Sequence, residues 1–201
     1  IGYGVELHGN FGNVNQALLP QAYVKVRYKN LEFYGGRRKE IMGLVDTVGT
    51  MGSYIWSGNA LPIPKLQLSI PNYTYFGKNK FVAIKGNYAH GWFGSTDSVK
   101  NYYLHQKSLY FKIGKPDWRL KMYGGFNHQV QWGGSPAVPF VDKGTNELVS
   151  RYGNGIKDYI AVVTGFSNAK KQTNVNPGSA SNEALNRTGN HLGSIDIGLE
   201  Y

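Results

Sequence analysis

Residues 22–28 read AYVKVRY, and residues 118–123 read WRLKMY. In both stretches apolar and polar side chains alternate, and every basic residue falls on the polar side. Successive side chains of a β-strand point to opposite faces, so each stretch predicts a strand with one apolar and one charged face. Seven separate stretches of the chain show this pattern, which indicates an all-β protein.

The alternation predicts about eight antiparallel strands in this chain. The predicted connections are 9–20, 29–30, 35–62, 72–80, 90–103, 115–117 and 128–190. They alternate between long and short, and aromatic residues such as Tyr28 and Trp118 lie beside the short ones. Outer-membrane β-barrels have this asymmetry, whereas a soluble β-sandwich predicts loops of mixed length at both ends. We therefore predict an antiparallel transmembrane β-barrel, with residues 1–201 in one barrel domain and 128–190 as a long extracellular loop.

The composition is compatible with this fold. The 201 residues include 22 Lys and Arg against 12 Asp and Glu, a net charge of +10, and no cysteine. No apolar run is long enough for a transmembrane helix, and the mean hydropathy of -0.39 is compatible with a barrel that has a polar interior. The absence of cysteine excludes a disulfide scaffold. Both ends of the sequence read as strand without a signal peptide, so we expect a fragment of a larger barrel.

The basic residues are dispersed along strands at period two. A nucleic-acid-binding protein would instead cluster its basic residues on one patch. The dispersed basic residues therefore argue against a nucleic-acid partner and favour anionic polymers or lipid head groups. The predicted lumen-facing basic residues are Lys25, Arg27, Lys65, Lys85, Lys112, Arg119 and Lys121. The predicted inward carboxylates are Glu6, Glu32, Asp196 and Glu200, which leaves an excess of three positive charges. For any single basic residue, the favoured interpretation is membership of an ion-pair lattice. The alternative, attraction of an anionic glycan, holds only as a property of the whole surface.

The histidines do not indicate catalysis. His8, His90, His105, His128 and His191 have no short-range partner spacing of the kind that metalloproteases use. We interpret them as rim residues that bond to loops. His128 and Ser135 suggest a Ser-His pair, but no nucleophile turn accompanies them. We therefore predict no enzymatic activity, no metal site and no cofactor.

Tryptophans are predicted in the long loops, at Trp56, Trp92 and Trp132. Aromatic faces stack on sugar rings, but loop aromatics also pack on each other, and both interpretations remain open. The candidate glycan-binding residues are Trp92, Trp132, Lys107, Gln129, Gln131 and His128. Within the longest loop, residues 156–166 predict a short helix.

Several segments together resemble a known family. They are SGNALPIP at 57–64, YAHGWF at 88–93, LHQKSL at 104–109, YGGFNHQVQWGG at 123–134 and NHLGS at 190–194. In this order they resemble the capsule assembly protein Wzi family, in its Bacteroidetes-type branch. The match runs from about Gly58 to the end, and its specificity comes from the number of segments.

The resemblance implies a larger outer-membrane β-barrel that holds surface polysaccharide at the cell exterior as a lectin. The expected function is therefore to bind or tether capsular or exopolysaccharide in the bacterial outer membrane. The expected partners are surface polysaccharide, outer-membrane lipid and other outer-membrane subunits. The alternative is a porin-like channel or a structural scaffold subunit without glycan binding.

Overall fold

A computed structural model describes residues 1–45, 48–49, 52–143, 146–166 and 187–201. In chain order the strands are β1 (Gly2–Asn10), β2 (Gln16–Tyr28), β3 (Leu31–Arg37), β4 (Gly52–Ser53), β5 (Trp56–Ser57), β6 (Lys65–Phe76), β7 (Val82–Trp92), β8 (Val99–Lys100), β9 (Tyr103–Ile113), β10 (Lys121–Trp132), β11 (Ser135–Pro136), β12 (Phe140–Val141), β13 (Leu148–Val149) and β14 (Asn190–Glu200). The helix α1 (Ile156–Thr164) lies between β13 and β14. The prediction of an all-β fold is confirmed.

Eight strands form the main sheet, in the order β1-β2-β3-β6-β7-β9-β10-β14. Neighbours in this sheet follow one another along the chain, as antiparallel hairpins do. The tightest connection is the turn between β2 and β3, where Tyr28 pairs with Leu31 and Lys29 has a φ of 53°. The edge strands are β1 and β14, and the sheet order places them at opposite ends of the described sheet.

The main sheet separates apolar and polar side chains onto opposite faces, as the alternation predicts. On one face Val24 is 58% exposed and Ile197 is 83% exposed, and Leu68 is half exposed. On the other face Glu32 and Lys65 are buried. Soluble sheets bury their apolar face and expose their polar one, so the polarity of this sheet is reversed.

The described part of the connection 38–64 lies against part of the polar face. Near its start, Glu40 forms an ion pair with Lys65 on β6, and further along the Leu44 N–H donates to the carboxylate of Asp196 on β14. Met42 is buried within the connection. Its short strands β4 and β5 pair with each other. The buried part of the polar face therefore lies beneath a folded segment.

The chain divides by its internal contacts into two compact units. The first comprises Ile1–Ala89, Gln106–His128 and Gly193–Tyr201. The second comprises His90–His105 and Gln129–Leu192. The second unit contains α1 and two small antiparallel pairs, β8 with β11 and β12 with β13. The Gly155 N–H donates to the Asp158 carboxylate at the start of α1. The helix ends at Gly165, whose φ of 68° is the left-handed conformation favoured by glycine. The helix predicted at 156–166 is confirmed.

Some element boundaries differ from the predicted ones. The connection after β6 is 77–81 instead of 72–80, the one after β9 is 114–120 instead of 115–117, and the longest is 133–189 instead of 128–190. The first connection is 11–15 instead of 9–20. In the first, third and last of these connections, backbone pairing continues past the residues where the apolar alternation stops, because the ladder satisfies N–H and C=O groups whatever the side chain. The connection 114–120 differs, because β10 begins only at Lys121 although the alternation begins at Trp118. Within the described residues, no helix is long and apolar enough to cross a membrane.

Candidate functional site

Glu40 is the centre of a buried charge network in the first unit. Its carboxylate accepts hydrogen bonds from the Tyr34 hydroxyl (2.8 Å) and the Gln67 amide (2.8 Å). It also pairs with Lys65 Nζ at 2.6 Å and with Arg38 Nη2 at 2.8 Å. Lys65 is only 1% exposed, and a buried ammonium needs a partner of opposite charge. Glu40 therefore ties the connection 38–64 to both β3 and β6.

Arg38 carries the network to a second carboxylate. Its Nη1 lies 2.5 Å from Glu32, and its guanidinium lies 4.0 Å from the centroid of the Tyr34 ring. Burial lowers the pKa of Arg38, but its hydrogen bonds to Glu32 and Glu40 outweigh burial and raise that pKa above its ordinary value. Burial raises the pKa of Glu40, but Lys65 and Arg38 outweigh it, so that pKa lies below its ordinary value of 4.5. Arg38 and Glu40 are therefore both charged at neutral pH.

A row of amide and hydroxyl groups crosses the polar face beside this network. Asn87 Nδ2 donates to Gln67 Oε1 at 3.2 Å, and the Ser108 hydroxyl donates to Asn87 Oδ1. The three residues lie on β6, β7 and β9, which are neighbours in the sheet. The row therefore runs perpendicular to the strands.

Asn127 lies on β10, the neighbour of β9 in the main sheet. Asn127 is buried, and neither polar atom of its side chain has a hydrogen-bond partner in the described part of the chain. Buried polar groups of this kind commonly bind water or a ligand.

A pocket of about 250 Å³ lies where the connection meets the polar face. Its lining includes Arg38, Glu40, Gln67, Lys85, Asn87 and Tyr110. Across the described residues, no carboxylate lies within 4.0 Å of the Lys85 ammonium, and Glu40 acts on it only at longer range. The pocket thus combines one cation that lacks a close ion pair with several neutral hydrogen-bonding groups.

Asp196 anchors the connection at a second point. Its carboxylate accepts hydrogen bonds from the Tyr110 hydroxyl (2.7 Å) and the Leu44 N–H (3.3 Å). Tyr110 also lines the pocket. Glu40 and Asp196 thus anchor the connection at two points.

The second unit contains an aromatic cluster around His90. The centroid of its ring lies 5.0 Å from Trp92, 5.4 Å from Tyr103, 5.9 Å from Tyr159 and 6.0 Å from Trp132. Trp132 is 6% exposed, whereas Trp92 is 40% exposed. Val130 and Val162 belong to the same core as Trp132.

The environment of the two tryptophans corrects the sequence interpretation. Both lie at strand ends, Trp92 on β7 and Trp132 on β10, and not within loops. Trp132 packs against Tyr159 of α1, so its ring serves the core of the second unit. Trp92 alone of this pair offers a substantial surface to a ligand.

The other candidate glycan-binding residues are divided between the units. Lys107 and His128 belong to the first, whereas Gln129 and Gln131 belong to the second. Gln131 is exposed and Gln129 is buried. Within the second unit, ring contacts join Trp92 and Trp132 through His90.

Among the predicted lumen-facing basic residues, three form ion pairs with carboxylates of the described residues. Lys25 lies 3.4 Å from Glu32, Lys65 is paired with Glu40, and Lys121 lies 3.1 Å from Glu200. These pairs join side chains from different elements, as an ion-pair lattice requires.

The remaining four lie in different surroundings. Lys112 lies over the rings of Tyr73 and Tyr123. Lys85 lines the pocket. Arg27 is exposed and donates to the Lys29 carbonyl, and Arg119 is exposed in the connection 114–120, outside the strand predicted for it.

Sequence reasoning missed Arg38 and Glu40. Both lie in the predicted connection 35–62, where period-two alternation carries no information. The run RRKE at 37–40 was the available signal, because four consecutive charged residues beside a strand end suit an ion-pair network. In the described residues, no group of three or more His, Cys, Asp or Glu side chains is arranged to hold a metal ion.

Comparison of the chain with protein-family models, with curated proteins and with solved structures found no match in any of the three. The family resemblance therefore rests on the five sequence segments alone.

Proposed function

We propose that this chain forms part of a bacterial outer-membrane β-barrel that binds or tethers surface polysaccharide. The observation that carries the membrane part is the reversed polarity of the main sheet. Its exposed apolar face offers Val24, Leu68 and Phe111 to the surroundings, while charged residues are buried on the other face. A lipid environment favours this distribution of side chains, because the strands of outer-membrane barrels point apolar side chains outward to the lipid and polar side chains inward to the lumen.

Aromatic residues at one end of the sheet support the same proposal. Phe76 ends β6 and Phe81 is the last residue of the connection 77–81, and both are exposed. Trp118 is exposed in the connection 114–120. The rings of Phe81 and Trp118 make an edge contact at 5.7 Å. Tyr28 adds an exposed ring at the β2–β3 turn. Membrane proteins concentrate aromatic rings at the depth of the lipid head groups.

Trp92 is the residue on which the glycan part of the proposal depends. Its exposed ring lies beside the connection 93–102, where Phe93 and Tyr102 stack at 4.0 Å and 15°. The Tyr102 hydroxyl donates to Asp97, and this bond helps to hold the connection in place. A rigid aromatic surface binds the C–H face of a sugar at low entropic cost.

Retention of native surface polysaccharide by cells tests the glycan proposal. We expect Trp92→Ala to reduce retention roughly two- to tenfold, since an aromatic stacking contact contributes about 0.5–1.5 kcal/mol. Trp118→Ala is the matched control, because it removes an exposed tryptophan from a connection at the opposite ends of the strands. If the glycan is acidic, retention should also weaken between 0.01 M and 0.15 M salt, where the screening length falls from ~30 Å to ~8 Å. Equal retention by wild type and both variants would contradict glycan binding and favour the scaffold alternative.

The channel alternative and the absence of catalysis are also testable. A channel requires an open polar face, and the connection 38–64 covers part of that face, so we expect low conductance in planar bilayers. We propose that the protein is not an enzyme. Lipase, glycosidase or acyltransferase activity that disappears in His105→Ala or His128→Ala would overturn this.

A further inference from the structure

We propose that the pocket beneath the connection 38–64 binds the carboxylate of an acidic sugar, a hexuronate, and that Lys85 is the residue that pairs with it. This inference rests on the proposed function, because it names the class of sugar that a polysaccharide-binding protein would recognise. The site lies wholly within the first unit, and Trp92 is not among its lining residues.

Charge in the pocket favours an anionic ligand. Three basic residues line it, and two of them have carboxylate partners: Arg38 pairs with Glu32 and Glu40, and Lys39 lies 2.7 Å from Glu6. Lys85 is the lining cation for which the described residues provide no carboxylate within 4.0 Å. A half-buried ammonium in this position gains most from a ligand that brings one negative charge.

The neutral lining suits a hydroxylated ring. Gln67 and Asn87 supply amides, and Ser108 and Tyr110 supply hydroxyls. Each amide carries both donors and acceptors, which is what sugar hydroxyls require. Met42 adds an apolar side chain for the C–H surface of the ring.

Size and charge narrow the class of ligand further. The pocket, of about 250 Å³, is smaller than the roughly 300–1,000 Å³ of sites that hold drug-sized molecules, and it suits one sugar unit. A carboxylate carries one charge and matches one lysine. A phosphate ester carries about two charges near neutral pH, of which Lys85 would balance only one.

Isothermal titration of the full chain in detergent micelles, with glucuronate, glucose and acetate as probes, tests the proposal. We expect glucuronate to bind at least about tenfold more tightly than glucose, because a hydrogen bond to a charged group contributes about 1.5 kcal/mol or more. Acetate should also bind more weakly than glucuronate, since it lacks the ring hydroxyls. Lys85→Gln should remove the preference for glucuronate, and Lys85→Arg should retain it.

Lys78→Gln is the control for loss of one positive charge, because Lys78 is exposed in the connection 77–81 and does not line the pocket. Circular dichroism of each variant establishes that it is folded. Equal affinity for glucuronate and glucose, or unchanged glucuronate binding in a folded Lys85→Gln variant, would overturn the proposal. Acetate binding as tightly as glucuronate would overturn its sugar component.

The outcome is separable from that of the proposed function. If Trp92→Ala loses polysaccharide retention while Lys85→Gln binds glucuronate normally, the pocket proposal fails and the glycan function stands. If retention is equal in all variants while glucuronate binding depends on Lys85, the tethering function fails and the pocket remains a binding site for an acidic sugar.

Discussion

Glu40→Gln should destabilise the protein more than any other removal of a single carboxylate in the first unit. The substitution keeps the shape of the side chain and removes its charge. Lys65, which is 1% exposed and lies 2.6 Å from Glu40, then loses its counter-ion. Arg38 keeps Glu32 as a partner, so the loss falls mainly on Lys65.

The loss of unfolding free energy expected for Glu40→Gln has a lower and an upper bound. Removing one partner of a buried ion pair costs about 3–5 kcal/mol, because it leaves an uncompensated charge. Lys65 can instead release its proton. At pH 7.5, three units below the ordinary lysine pKa of 10.5, this costs about 4 kcal/mol at 1.36 kcal/mol per unit. We therefore expect a loss of about 3–4 kcal/mol at pH 7.5.

Proton release also predicts the dependence on pH. If Lys65 of the variant is neutral when folded and charged when unfolded, the unfolded state binds the extra proton. The stability of the variant relative to wild type then rises with pH. Between pH 7.5 and pH 9 the deficit should shrink by about 2 kcal/mol.

Urea unfolding, followed by tryptophan fluorescence at pH 7.5 and at pH 9, measures the loss of stability and its dependence on pH. Glu6→Gln is the matched control, because Glu6 bonds to Lys39 and Gln21 at a more exposed position. An exposed ion pair contributes about 0–1 kcal/mol. A double variant, Glu40→Gln with Lys65→Met, should recover part of the loss. If Glu40→Gln costs no more than Glu6→Gln, the buried network does not hold the connection in place and this reasoning fails.

Three further outcomes are expected. In lipid vesicles, Leu68→Arg should lower the free energy of unfolding by ~2–4 kcal/mol if the apolar face of the main sheet contacts lipid. A change within about 0.5 kcal/mol would contradict the membrane proposal. In urea unfolding, Gly36→Ala should cost about 1–3 kcal/mol more than Gly12→Ala. Both glycines have positive φ, but of the two only Gly36 would bring a Cβ into a clash with a backbone oxygen, that of Ala22. Equal losses would contradict this reasoning. Because the pKa of Glu40 is lowered on folding, its ionisation stabilises the protein above pH 4.5, and this contribution is lost as the pH falls through the lower folded value. The difference in stability between wild type and Glu40→Gln should therefore shrink as the pH falls below 4.5 in acid titrations, and a difference at about pH 3 as large as that at pH 6 would contradict it.

The sheet was predictable because its signal is local. In β6, Leu66 and Leu68 alternate with Lys65 and Gln67, and the same parity recurs along neighbouring strands. Period-two alternation depends only on the geometry of a single strand, so no knowledge of the neighbours is needed. The eight-stranded order followed from the same pattern, since consecutive strands of this kind pair as hairpins.

The candidate site was only partly predictable because its contacts are long-range. Lys65 and Lys85 were identified as inward basic residues from their parity, but their different surroundings depend on where the connection 38–64 lies. Glu40 reaches Lys65 across 25 positions of the sequence, and no periodicity specifies such a contact. Trp132 shows the same limit. Its ring packs against Tyr159, which belongs to a helix in the long connection that follows β10.

The channel and glycan hypotheses make opposite demands on the polar face of the sheet. A channel needs this face to be lined by water, so a segment bonded across it would have to be displaced for conduction. The connection 38–64 is bonded at Glu40 to a lysine that is itself buried, and at Asp196 to a second strand, so displacement would expose both partners at once. The cost of separating the Glu40–Lys65 pair alone is several kcal/mol. A binding protein gains from the same anchoring, because a pocket held between two fixed points loses little entropy when a ligand enters. The buried network therefore favours a binding role for this face over a conducting one.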